Sequence, residues 1–348
     1  MRGSIIGMGW ATPMGRDLEV VWQAIMEEGR VEPATLENPF SKRNFPILRV
    51  PPASVQDAAA FPRLRRSSGI SHFAVAAAMD AATNAGLDAE KLARTALVFA
   101  ASDGGVVYTR RFYADVVERG GGAGSPLLFP ETVYNAPASH IAARLGLAGE
   151  VLTLVGDAAA GLMALRTGCE LLAAGEADYC LVASAQELDW ITCEAYERWG
   201  LIGTGDPQGA IFSEGAAAIV LARSGGCEVR IPHAGFSFSS NEDASVKMDS
   251  LINDLMTAHS PQVVISSGSG AGLDAIEERI LSHRLPAAQK VTPKFTLGES
   301  LSCSAIQQVI TGVIALQKLE KPGDVLVPTL GFNGQMAALV LTEGDCRA

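Results

Sequence analysis

Apolar residues along the 348-residue chain fall into two kinds of stretch, short continuous runs and longer segments with helical spacing. ALVFAAS (96–102), EVLTLVG (150–156), ADYCLVASAQE (177–187) and EGAAAIVLARS (214–224) are of the first kind. Short, continuously apolar and bounded by turn residues, they predict strands buried on both faces. Residues 17–28 place Leu18, Val21, Trp22 and Ile25 on one helical face. An Ala-rich helix is predicted from Ser71 to Ala85, ended by Gly86. Residues 158–175 are apolar almost all round, which predicts a deeply buried helix. Residues 32–62 are Pro-rich and read as an irregular surface excursion, and 103–130 as a Gly-rich loop around one helix.

Gly225 and Gly226 mark a midpoint, after which the order repeats loosely. A strand (229–238), a helix (245–258), a strand ending in glycines (262–270), a helix (273–283), a long helix (300–320) and a strand (324–330) follow. The last strand, AALVLTEG (337–344), echoes AAAIVLARSG (216–225). Strands alternating with helices define an α/β sheet protein, and the duplication divides it into halves of about 1–225 and 226–348.

Composition narrows the possible roles. With 27 Lys plus Arg against 38 Asp plus Glu, the net charge is −11, which disfavours nucleic acid as a partner. Apolar residues make up 48% of the chain, too many for a disordered one, yet no apolar run reaches a membrane span. The first fifteen residues lack a signal-peptide pattern. The six cysteines (Cys169, Cys180, Cys193, Cys227, Cys303, Cys346) form no C-x-x-C pair, and no His lies at zinc-ligand spacing. Reduced, buried thiols in a cytoplasmic protein without a metal are expected.

The segment 129–187 (FPETVYNAPASHIAARLGLAGEVLTLVGDAAAGLMALRTGCELLAAGEADYCLVASAQE), the start GMGWATPMG, the strand SEGAAAIVLA and the end PTLGFNGQMAALVLT together resemble the β-ketoacyl-ACP synthases of the thiolase superfamily. The resemblance covers nearly the whole chain in order. It implies a five-layered αβαβα fold built from two similar halves, dimerising through the first, and it implies no cofactor. The family's chemistry uses a Cys at a buried helix start, its pKa lowered by the helix N-terminus, to carry an acyl chain as a thioester. Two histidines then promote decarboxylation of a malonyl thioester.

Each of these positions is changed. The nucleophile motif Thr/Ser-Ala-Cys-Ala-Ser-Gly corresponds to Gly156-Asp157-Ala158-Ala159-Ala160-Gly161, so Ala158 stands at the cysteine. Asp157 reads as an N-cap or first-turn residue, a poor nucleophile. The first histidine position falls on Ser267, followed by Gly268, with Asp274 and Glu277 retaining the acidic residues beyond it. In Lys294-Phe295-Thr296-Leu297-Gly298-Glu299 the second histidine position holds Glu299. The acid that normally partners the lysine, near Gln308, is also missing, so Glu299 is expected to pair with Lys294, because a buried lysine needs an anion.

Outside these positions, Gly331-Phe332-Asn333-Gly334 resembles the family's Gly-Phe-Gly-Gly loop, whose Phe gates the acyl pocket and whose backbone N–H helps an oxyanion hole. Asn333 suits a turn needing φ > 0. His72 and His140 read as structural histidines, His233, His259 and His283 as strand-edge or helix-end residues, mostly solvated, and Cys303 as an inert buried thiol. Arg63, Arg65, Arg66, Arg110 and Arg111 are the densest positive charges, a candidate docking patch for an acidic acyl carrier protein centred on Arg65 and Arg66.

A chain with this scaffold and none of its catalytic groups resembles the silent subunits, or chain-length factors, that pair with an active β-ketoacyl-ACP synthase in polyketide and aryl-polyene systems and shape the shared acyl tunnel. The rival reading is a homodimeric acyltransferase without a covalent intermediate, with Glu299 as base. A third is a non-catalytic acyl-binding scaffold.

Overall fold

The computed structural model describes residues 2–201, 211–230, 236–270, 273–319 and 323–344. His233, Cys346 and the middle of the strand expected at 229–238 lie outside the described residues.

A single mixed sheet runs through the molecule. In spatial order its path is Gln289–Val291, Pro261–Ile265, Asp324–Leu330, Gln335–Thr342, Cys227–Arg230, Arg2–Ala11, Gly215–Ala222, Tyr179–Gln186, Thr95–Ala101 and Val151–Val155. Cys227–Arg230 pairs antiparallel with Arg2–Ala11 on one side and with Gln335–Thr342 on the other. It therefore stitches the half-sheet before Gly225–Gly226 to the one after.

Successive strand residues point to opposite faces, and here each face has its own core. Val98 and Ala100 face a central core, while Leu97, Phe99 and Ala101 face an outer one. The helices Ala159–Ala174 and Ser302–Lys318 fill the central core. The outer core lies beneath Gly69–Asn84 and Ala136–Leu145. The other half repeats the scheme. Val325 and Val327 face the centre, and Leu326 and Leu330 face outward under Asn241–Met256 and Asp274–Arg284. Helix, sheet, paired central helices, sheet and helix make five layers, the thiolase-like α/β architecture that the resemblance implies.

The central helices touch where their first turns cross. A Cβ on Gly161 would lie 2.4 Å from the carbonyl oxygen of Ser302 and 2.8 Å from Cβ of Ala305, so only glycine fits there. Local signals set the ends of several elements. Asp17 caps Leu18–Met26 by accepting from the N–H of Val20 at 2.9 Å, and Gly175 ends Ala159–Ala174 in the left-handed region at φ 78°.

The segment 32–62 departs from expectation. It contributes strands Ala34–Glu37 and Asn44–Leu48, which form a second, three-stranded sheet with Phe212–Ser213. Phe45 and Ile47 anchor it, buried against Tyr196, Phe212 and Leu301. Pro46 within Asn44–Leu48 and the prolines on either side of it mask this pattern in the sequence, and the third strand lies over 160 residues away. The helix Trp190–Arg198, started by Asp189, also lacks a sequence expectation, because only Thr192, Cys193 and Tyr196 on it are buried. Among the described residues, no helix is long and apolar enough to cross a membrane.

Candidate functional site

The topology brings three loops to the meeting point of the central helices. The first, Gly156–Ala158, follows the strand Val151–Val155 and leads into Ala159–Ala174. The second, Ser266–Gly270, follows Pro261–Ile265. The third, Gly298–Leu301, leads into Ser302–Lys318. Main-chain and hydroxyl bonds tie the approach of the last to the first half: the N–H of Ser302 donates to Ser102 Oγ at 3.2 Å, and the Ser302 and Ser184 hydroxyls are 3.0 Å apart.

Ala158 is buried at the start of its helix and offers only a methyl group. Its neighbour Asp157 is 1% exposed. One carboxylate oxygen accepts from the N–H of Ala159 at 3.2 Å, although the N-cap position itself is Ala158, so Asp157 sits one residue ahead of the place read from the sequence. The other accepts from the N–H of Asn333 at 3.0 Å, in the Gly331–Gly334 loop of the opposite half. Burial, reinforced by the charge of Glu299, raises its pKa against these bonds.

Ser267 lies against Glu277. Its N–H donates to Glu277 Oε1 at 2.9 Å and its hydroxyl to Oε2. Asp274 accepts from the N–H groups of Ser269 and Gly270 at 2.8 and 2.6 Å. Both acids are raised by burial and eased downward by their bonds and by the charge of Lys294.

Lys294 and Glu299 form a buried ion pair. The Nζ–Oε2 distance is 2.6 Å, and the side chains are 3% and 2% exposed. Glu299 Oε1 also accepts from the N–H of Leu301 at 2.7 Å. The turn is tight: Leu301 has φ 53° and ψ −123°, a strained conformation for a branched residue. Gln308, at the usual position of the lysine's acidic partner, instead donates to the carbonyls of Ile265 and Pro328 at 3.1 and 3.0 Å.

Phe332 packs beside Tyr196, ring centroids 6.1 Å apart, in the cluster with Leu301 and Phe212. Asn333 is exposed and shares a side-chain hydrogen bond with Tyr196. It does not need φ > 0; Gly334 takes the left-handed position at φ 82°. Burial and the charges of Asp103, Glu299 and Asp157 push the Tyr196 phenol upward. Asp103, held by Gln186 Nε2 at 2.9 Å, is itself lifted to about 6 by burial. Sequence reasoning missed Asp103 and Tyr196, since neither belongs to a motif and both arrive through the tertiary fold. A cleft of 460 Å³ opens beside this region, lined by Ser269, Gly270, Lys294, Thr296 and Gly298.

Other sequence candidates fall outside the site. Cys303 is wholly buried and its thiol is pushed up to about 12, so it stays protonated near neutral pH. His140 is buried with Nε2 2.7 Å from Glu131, and His72 contacts the carbonyl of Leu64 at 2.9 Å. His259 is not mostly solvated but half-buried, 3.2 Å from Asp324. Arg65 and Arg66 are exposed on the short turn Pro62–Arg66. Arg110 is committed to Asp189 through a 2.8 Å ion pair, and Arg111 lies over Tyr108, which shrinks the arginine patch to its first three members. Among the described residues, no group of three or more His, Cys, Asp or Glu is placed to hold a metal ion.

A five-layered sandwich whose two central helices start at one point, with loops from both halves around it, defines a thiolase-like protein of the ketosynthase type. The profile of the β-ketoacyl synthase N-terminal domain matches residues 4–226. The chain belongs to the β-ketoacyl synthase family. The 3-oxoacyl-[acyl-carrier-protein] synthase 2 of Vibrio harveyi is 23% identical over 188 residues, 53% of this chain and 45% of that protein. The match thus spans less than half the length of this curated relative. Among solved structures, the ishigamide ketosynthase/chain length factor superposes with a TM-score of 0.80 at 18% identity, covering 98% of this chain and 99% of that one. A type II polyketide synthase acyl-carrier protein in complex with its ketosynthase, bound to the hexaketide, gives 0.76 at 17%, covering 99% of each chain. At these identities the two structures show a shared fold.

Two outcomes test the site's electrostatics. Replacing Lys294 by Ala strands the Glu299 carboxylate in the core and is expected to cost about 3–5 kcal/mol in chemical denaturation; an unchanged unfolding midpoint refutes the pairing. The folded-state pKa of Asp103, near 6, lies above its ordinary 3.8, so ionising it costs stability as pH rises between these values. The Asp103→Asn variant should therefore gain melting temperature relative to the parent as pH is raised from 4 to 7, and a pH-independent difference contradicts this.

Proposed function

We propose that this chain is a catalytically silent ketosynthase-like subunit, a chain-length factor, which pairs with an active β-ketoacyl-ACP synthase and shapes the acyl tunnel in fatty acid, polyketide or aryl-polyene synthesis. What supports this reading is that each position matched to a catalytic group of the family holds a residue that is inert or satisfied within the protein. Ala158 has no nucleophile, Ser267 is bonded to Glu277, and Glu299 is neutralised by Lys294. Condensation needs a thiolate and a base or polarising imidazole, and neither is supplied.

Pairing is favoured by the surface of the first half. The terminal strand Val151–Val155 leaves Val155 56% exposed. The helix Val106–Arg119 has no buried residue, and its Val117 is 83% exposed. Tyr113, Leu127 and Phe129, on and after this helix, are exposed as well. An unpaired apolar edge of this kind is a liability unless a partner covers it. In this reading residues 1–225 carry the interface and the former nucleophile position, and 226–348 carry the former histidine positions and the Gly331–Gly334 wall. The subunit works in the cytoplasm, needs no cofactor, and meets acyl carrier protein at Arg65 and Arg66 or through its partner. The rival, an unaided homodimeric acyltransferase using Glu299 as base, requires a Glu299 oxygen free to meet substrate, whereas one is taken by Lys294 Nζ and the other by the N–H of Leu301.

Co-expression with an intact ketosynthase from the same gene neighbourhood is expected to give a 1:1 complex on size-exclusion chromatography. Val155→Asp combined with Val117→Asp should abolish it. Turnover by the purified chain alone, lost in Glu299→Gln, would establish the rival instead. In the complex, Arg65→Glu with Arg66→Glu should weaken carrier-protein binding several-fold and flatten its salt dependence, measured by titration at two ionic strengths; unchanged binding removes the docking role.

A further inference from the structure

The carboxylate of Asp157 has no cation beside it among the described residues, and the charge acting on it is that of another carboxylate, Glu299. Its partners are main-chain N–H groups: Ala159 at 3.2 Å, Asn333 at 3.0 Å and Gln335. Two of these three belong to the turn Gly331–Gln335, closed by the N–H of Gly331 donating to the carbonyl of Gln335 at 2.8 Å. Converging N–H dipoles without a formal positive charge are the chemistry by which proteins hold an anion or a developing oxyanion.

The steric relation is equally specific. Gly331 is not among the glycines with positive φ, so its backbone does not require glycine. Space does. A Cβ there would lie 2.0 Å from Asp157 Oδ2, 2.2 Å from Cγ and 2.4 Å from Oδ1. The carboxylate lies flat where the side chain of residue 331 would be.

We propose that Asp157 is a built-in occupant of the anion-binding turn Gly331–Gln335: its carboxylate takes the main-chain donors that a thioester oxyanion or small carboxylate would use, and fixes the turn. The inference goes beyond the subunit's proposed pairing and does not depend on it, since it concerns the isolated chain. It adds a second reason for silence. Restoring a nucleophile alone would leave the oxyanion without these donors. It also makes the wall carrying Phe332 a rigid element rather than a gate.

The tests use the purified full chain. In Asp157→Asn, close in size, amide hydrogen exchange at Asn333 and Gln335 should accelerate about tenfold, as expected for loss of a buried charge-assisted bond; unchanged protection overturns the proposal. In Asp157→Ala, formate should raise the melting temperature more than chloride at the same ionic strength, and should not do so in the parent. An equal response to both salts overturns it. Finally, Gly331→Ala should lower the melting temperature of the parent but be tolerated in the Asp157→Ala background; an equal penalty in both shows that the carboxylate is not what excludes a side chain at 331.

Discussion

The two central helices meet closely at the crossing, where Gly161 lies against the carbonyl of Ser302 and the methyl of Ala305. This contact sets the distance between the half-sheets, because each helix packs on the inward faces of its strands: Val98 and Ala100 on one side, Val325 and Val327 on the other. It also brings the two helix starts together, and with them the loops that precede them. The positions of Ala158, Glu299 and Ser267 relative to one another follow from that closeness. The low charge and abundance of small residues in the sequence are the compositional trace of the same constraint.

Within this frame the polar groups around the two helix starts form a set of closed arrangements. Burying a charge is tolerable only with a partner and satisfied hydrogen bonds. Lys294 and Glu299 meet that requirement as an ion pair, Glu277 with hydroxyls and an N–H, and Asp157 with N–H groups alone. These bonds tie the loops of the two halves to one another and so contribute order to the fold. What remains available to the surroundings is shape and surface: the 460 Å³ cleft, the apolar edge at Val151–Val155 and the exposed turn bearing Arg65 and Arg66.

Much of the architecture was legible in the sequence because most strands are uninterrupted apolar runs and the central helix Ala159–Ala174 is apolar on nearly every face. The Lys294–Glu299 pair was legible too, since its members are five residues apart and a buried lysine restricts the choice of partner. The small sheet was not, because its strands are short, proline-flanked and completed by Phe212–Ser213 from far along the chain. The reach of Asp157 to Asn333 was hidden for the same reason: its cap on Ala159 is local, whereas its other bond spans 176 residues. Asp103 and Tyr196 acquire their environment only from packing, which no spacing encodes.

The buried ion pair limits what position 299 can hold. A neutral side chain there would remove the carboxylate that lies 2.6 Å from Lys294 Nζ and leave the ammonium in the core without its nearest counter-charge. At position 158 a cysteine would set its thiol next to the Asp157 carboxyl, whose charge would disfavour the thiolate. Each position is therefore tied to its neighbour: a change at 299 is accommodated only together with Lys294, and a thiolate at 158 only together with Asp157.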